Sequence, residues 1–114
     1  MNVQIFGIKK SADTRKALRF FKERRIPTHF VDVKEKPPSR RELLRFTQKL
    51  GVDALRDEES RRFQDLGLGA AYLSDDRWIE TMMTEPLILR LPLVRQDKHV
   101  TVGYAPDVWK SWSR

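Results

Sequence analysis

Apolar and polar positions divide the chain into short, well-marked segments. Val3-Gln4-Ile5-Phe6 is an apolar run closed by Gly7, the pattern of a short buried strand. Ser11, Asp13 and Thr14 follow, and each residue type can cap a helix N-terminus. Thr14, Ala17, Leu18 and Phe21 then recur at i, i+3, i+4 and i+7. That spacing predicts an amphipathic helix with Arg15, Lys16, Arg19, Lys22 and Glu23 on its polar face. Arg24 and Arg25 suit the negative end of its dipole, and Pro27 stops it. Thr28 to Val33 is β-rich and reads as a second strand. After the prolines at 37 and 38, Ser39 and Glu42 form a capping box. The helix it opens carries Leu43, Leu44, Phe46, Thr47 and Leu50 on its apolar face and ends at Gly51. Strand–helix–strand–helix favours a crossover that leaves the two strands parallel.

Residues 53–86 read as helical with short breaks. Asp57 to Leu66 forms one piece, stopped by Gly67 and Gly69, and a second runs from a Ser74 cap through Trp78, Ile79, Met82 and Met83 to Pro86. Leu87 to Val94 is apolar, with Pro92 marking a strand start or edge. His99 to Gly103 alternates as a strand. The polar link Arg95-Gln96-Asp97-Lys98 predicts an antiparallel hairpin. Pro106 can open a last short helix bearing Val108, Trp109 and Trp112. The order is therefore β-α-β-α, a helical insertion, then β-β-α. This is an α/β thioredoxin-like arrangement with a mixed four-stranded sheet. It reads as one domain over 1–114, with a core at 1–50 and 87–114 and an insertion at 51–86.

Composition narrows the chemistry. The 114 residues match one domain, since domains commonly hold about 100–150. Cysteine is absent, which excludes disulfides, thiolate nucleophiles and Cys-ligated metal. That absence is compatible with a reducing, cytoplasmic location. No apolar run approaches the roughly 18 residues of a membrane span, and the N-terminal order of apolar then basic residues does not match a secretory signal. The net charge is +7, unevenly spread. Residues 1–50 hold 14 Lys/Arg against 5 Asp/Glu, and residues 51–114 hold 9 against 11. A basic half is usually a solvated helix surface, and it is also a footprint for an acidic partner. Phe20, Phe21 and Phe46 fall on apolar faces rather than among the basic residues, which weighs against nucleic acid. His29 and His99 lack companions at ligand spacing, so no metal is expected. Asp75-Asp76 reads as the acidic first turn of a helix rather than an acid–base pair.

Several strings resemble the arsenate reductase (ArsC)/Spx family, including its YffB-like members. Ile5-Phe6-Gly7-Ile8-Lys9-Lys10-Ser11 with Thr14-Arg15-Lys16-Ala17 is similar to the family's first strand, active-site loop and first helix. Ala54-Leu55-Arg56 with Phe63-Gln64-Asp65-Leu66-Gly67-Leu68, Met82 to Ile88, Val102-Gly103-Tyr104 and Trp109 resemble later stretches in the same order. The resemblance implies that the family's catalytic Cys falls on Ser11 and the second Cys of its Cys-x-x-Cys on Thr14. The family's Arg before a cis proline falls on Leu91, ahead of Pro92. Arg90 lies one residue from that place, which in a strand turns its side chain to the opposite face. Arg56 keeps a third anion-binding position.

A thiol at a helix N-terminus ionises near neutrality, whereas a hydroxyl there needs an adjacent base. Arsenate reduction is therefore not expected. The first reading is a non-catalytic binding or regulatory module with an acidic protein partner, RNA polymerase by resemblance to Spx. The alternative is a glutathione- or anion-binding enzyme in which Ser11 replaces the Cys. Lys9, Lys10, Arg15, Arg56 and Pro92 would then complete its pocket, with glutathione as ligand and no resident cofactor. Each residue also has a plainer reading. Ser11 can be a helix cap, the lysines surface charge, and Arg56 an ion-pair partner of Asp57 or Glu59.

Overall fold

A computed structural model describes residues 2–112. The chain divides into two compact units, one gathering the segments up to Asp32 and from Leu91 on, the other Val33–Arg90.

The first unit holds the whole sheet. Its strands are β1 (Val3–Gly7), β2 (Thr28–Asp32), β3 (Leu93–Gln96) and β4 (His99–Val102), in spatial order β2-β1-β3-β4. β1 pairs parallel with β2 and antiparallel with β3, and β3 pairs antiparallel with β4. The mixed four-stranded sheet expected from the element order is thus present. Two helices belong to this unit, α1 (Ala12–Glu23) and α6 (Pro106–Trp112), the latter numbered after four helices of the second unit. Strand alternation puts Val3, Ile5 and Val94 on one face of the sheet. They form a core with Ala17, Phe20 and Phe21 of α1 and with Trp109 of α6. Trp109 is fully buried, and its indole Nε1 donates to Thr101 Oγ1 at 2.7 Å. Buried indole nitrogens need such an acceptor, so this bond sets the seat of α6 on β4. Trp112, three residues on, is half-buried and lies near His99, 6.1 Å between ring centroids.

The second unit is helical: α2 (Arg40–Leu50), α3 (Val52–Leu55), α4 (Arg61–Asp65) and α5 (Asp75–Thr84), with 3₁₀ turns at Leu68–Ala70 and Pro86–Ile88. The Ser39–Glu42 capping box is formed in both directions, and Ser74 caps α5. Leu43, Phe46, Leu55, Phe63, Trp78 and Met82 are buried here, with the Phe63 and Trp78 rings stacked 6.0 Å apart. Arg40 joins α2 to α5 through Asp76 at 3.1 Å and Glu80 at 3.4 Å. Arg62 makes a two-pronged bond to Glu85, at 2.6 and 2.9 Å.

Two local expectations change. Asp57 to Leu66 is not one helical piece, because α4 begins only at Arg61. The preceding backbone is drawn away from helix: Asp57 N donates to Ile88 O at 2.8 Å, and Arg56 bridges Leu89 in antiparallel fashion. The Asp57 carboxylate accepts from Glu59 N, and Ser60 caps the shortened helix by accepting from Phe63 N. Pro92 marks a strand start as expected, for the chain passes from a 3₁₀ turn at Pro86–Ile88 into β3 directly after it. The hairpin link is two residues rather than four, since Arg95 and Gln96 pair with Val100 and His99. Asp97 takes the positive φ of 55° that the tight turn requires, which Asp tolerates better than most residues.

Candidate functional site

The β1–α1 junction carries the residues singled out from the sequence. Gly7 ends β1, Ser11 is the N-cap of α1, and Ser11 N donates to Ile8 O at 3.1 Å to close the loop. Lys9 and Lys10 are exposed and Ser11 is half-buried. Ser11 Oγ accepts from Thr14 N at 3.2 Å, and its carbonyl accepts from Arg15 N at 3.1 Å. The Ser11 hydroxyl is therefore engaged with the helix backbone. Asp13 stands in the first turn, where a carboxylate is favourable to the helix and repels a second anion. Arg15 turns back and donates to Lys9 O at 2.6 Å, which stiffens the loop. Lys9, Lys10, Ser11 and Arg15 are thus brought together at one turn.

Thr14 behaves differently from its neighbours. It is fully buried against Gly7, and its Oγ1 has no hydrogen-bond partner among the described residues. Burying a hydroxyl without a partner costs free energy, which the packing of Thr14 against Gly7 has to offset.

Pro92 belongs to the same unit. The Leu91–Pro92 bond is cis, as the resemblance implied, and Pro92 is buried with its carbonyl accepting from Gly103 N at 2.8 Å. Leu91 is half-buried.

Arg56 lies in the second unit, at the end of α3. Its side chain is 17% exposed. Its Nη2 meets Asp53 at 2.7 Å and Glu58 at 3.5 Å, and its guanidinium lies 4.6 Å from the Trp78 ring centroid. Two carboxylates and an aromatic face therefore occupy much of this cation, while Nε is buried without a partner among the described residues. The acidic neighbours are not the Asp57 and Glu59 suggested by adjacency. Asp53, three residues earlier, faces Arg56 because i and i+3 share a helix face. Arg90 is exposed, and its backbone N–H donates to Leu55 O at 2.8 Å. Among the described residues no group of three or more His, Cys, Asp and Glu is placed to hold a metal, and no helix is long and apolar enough to cross a membrane.

The model of the ArsC family matches residues 6–112. The chain belongs to the ArsC family. It is 31% identical to the global transcriptional regulator Spx 2 of Oceanobacillus iheyensis over 110 residues, covering 94% of this chain and 80% of that protein. Among solved structures, the arsenate reductase from Vibrio cholerae matches with a TM-score of 0.85 and 27% identity, covering 97% of each chain. The YffB protein matches with a TM-score of 0.87 and 24% identity, covering 96% of each, which bears on the fold. This ArsC-family chain thus keeps the thioredoxin-like fold while carrying no cysteine.

Sequence inspection did not single out Gly7 against Thr14, or Asp53 and Glu58 beside Arg56. A glycine closing a strand just before a capped helix was the available signal for the first. For Glu58, which approaches from a non-helical turn, the sequence offers none.

Proposed function

We propose that this chain is a non-catalytic binding member of the ArsC family, with a cytoplasmic role and an acidic protein surface as its partner. RNA polymerase is the first candidate, by analogy with the Spx-type relatives. The observation that carries the reading is the state of Ser11. By resemblance its hydroxyl takes the place of the family's thiol, and it is engaged in capping α1. A hydroxyl becomes a nucleophile through a base placed against it, and the ionisable groups of the same turn include the exposed Lys9, Lys10 and Arg15 and the first-turn Asp13. Oxygen also cannot form the sulfur–sulfur bond that a thiol cycle needs. The excess of Lys and Arg in residues 1–50 supports an acidic partner.

Two measurements test this. Purified chain incubated with arsenate and a thiol reductant is expected to yield no arsenite, and arsenite formation would sink the non-catalytic reading. Purified chain and RNA polymerase are expected to co-elute at low salt and separate as salt rises. No complex at any salt would remove polymerase as the partner.

A second reading rests on the half-buried Ser11 beside exposed Lys9 and Lys10. In it, that turn together with Arg15 and Pro92 would take glutathione or a small anion. Specific binding would raise the thermal midpoint by mass action. Scans with glutathione, arsenate, phosphate and sulfate decide it: a rise with one and not the others favours this reading, and four flat responses discard it.

A further inference from the structure

A second feature of the sheet unit lies outside the β1–α1 loop. A groove of about 420 Å³ runs between the later turns of α1 and the segment that opens α6. Lys16, Arg19 and Arg24 line it from α1, and Tyr104 and Lys110 line it from the other side. Phe20 and Pro106 give its apolar surface. Lys16, Arg19 and Phe20, and Glu23 share one helix face because they are three or four residues apart.

Two of the cations are held against aromatic rings. Lys16 Nζ lies 5.5 Å from the Tyr104 ring centroid, and the Arg24 guanidinium lies 3.7 Å from that of Phe20. Arg24 also donates to Phe20 O at 3.3 Å. Among the described residues, no carboxylate stands within ion-pair distance of Lys16, Arg19 or Arg24. The other side supplies one neutralised cation, Lys110, which is 4.0 Å from Asp107. Three uncompensated cations therefore surround an aromatic and proline surface, with Tyr104 46% exposed at its edge.

We infer that this groove binds an acidic peptide segment of a partner protein, one that alternates carboxylates with apolar side chains. The inference rests on the binding-module reading and locates its contact surface. Arg19 and Arg24 present planar donors that match carboxylates. An apolar side chain between those carboxylates covers Tyr104 and Pro106. Nucleic acid fits less well. A nucleic-acid backbone presents an unbroken series of phosphates, and Glu23 in the groove wall would face that series. Base stacking also needs an open ring face, and Lys16 takes one face of Tyr104. A peptide can present a backbone N–H or a hydroxyl to Glu23 instead.

Amide spectra of the ¹⁵N-labelled full chain test this with a short synthetic peptide of alternating Glu and Leu. A Gln–Leu peptide and single-stranded oligo-dT serve as competing probes. Shifts are expected along the later part of α1 and from Tyr104 to Lys110 with the Glu–Leu peptide. Arg19→Glu is expected to weaken that binding roughly tenfold, as charge reversal at a complementary rim does. Lys16→Glu should act in the same direction, and Arg41→Glu on α2 should leave binding unchanged. Retained amide dispersion shows that each variant is folded. Shifts confined to α2, an unweakened Arg19→Glu variant, no response to the peptide, or equal binding of oligo-dT at the same residues would each overturn the groove. An RNA polymerase complex unaffected by Arg19→Glu would overturn it too, while leaving the binding-module reading intact. Peptide shifts at the groove without a polymerase complex would keep the groove and discard polymerase.

Discussion

Gly7 and Thr14 touch where β1 gives way to α1. A β-carbon placed on Gly7 would lie 2.5 Å from Thr14 Oγ1 and 2.6 Å from its Cγ2. The glycine is therefore required by close approach of a side chain. This contact draws the first turn of α1 onto the end of the strand, and so helps to place the Ser11 cap.

Gly7→Ala is expected to destabilise the protein by about 1–3 kcal/mol, the usual cost of forcing an extra carbon into a packed site. Gly69→Ala serves as the control, since its added carbon would meet nothing within 4 Å. Thr14→Ala removes both clashing atoms, so Gly7→Ala should cost less in that background. Urea unfolding of the four proteins gives the coupling, and strict additivity would count against the contact.

Ser11→Ala removes the cap acceptor for Thr14 N and should cost about 1 kcal/mol. Ser11→Asp retains an acceptor and should cost less. If alanine unfolds at the same denaturant concentration as serine, the hydroxyl has no capping role and is free for another one.

Glu85 carries a pH dependence. The two-pronged hydrogen bond from Arg62 holds its carboxyl below the usual carboxylate range, and the same bond raises Arg62. A depressed folded-state value means the bond stabilises the fold above the unfolded-state value and is lost as pH falls through the folded one. Wild type is therefore expected to exceed Glu85→Gln in urea midpoint at neutral pH. The gap should close once the pH drops well below about 4. A gap that persists in acid would assign the difference to packing rather than charge.

Trp109→Phe keeps an aromatic ring but removes the donor to Thr101 and part of the core volume. A loss of about 1–3 kcal/mol is expected. Adding Thr101→Val should recover part of it, because the orphaned hydroxyl is then gone. Thermal or urea unfolding reads both, and a neutral Trp109→Phe would show that the buried bond contributes little.

Arg19→Glu on α1 and Arg41→Glu on α2 separate the groove from the general charge of the basic half. The first should weaken binding of an acidic peptide and the second should not, as read by amide shifts. Equal effects would mean that net charge, rather than the groove, governs association.

Much of the fold was legible because its signals are local. Ser11, Ser39 and Ser74 each cap the helix predicted to follow them. A cap needs only an oxygen and an amide three residues on, and both lie within one turn. The Asp57–Ser60 stretch was misread for the opposite reason. Its backbone bonds run to residues near 88, and helical propensity does not register a partner about thirty positions away. The polarity of Arg95 and Gln96 predicts a loop. Pairing with the neighbouring strand, which polarity does not report, makes them β3.

The candidate site divides in the same way. The loss of thiol chemistry follows from composition and needs no coordinates, since a residue type that is absent can form no bond. That Ser11, Lys9, Lys10 and Arg15 share a turn follows from adjacency. The tertiary structure alone decided that Arg56 faces Glu58 and Trp78, and that Tyr104 and Pro106 complete a cationic groove on α1. Charge and apolarity are readable one residue at a time. Which cations keep a carboxylate partner depends on side chains that meet only after the chain has closed on itself.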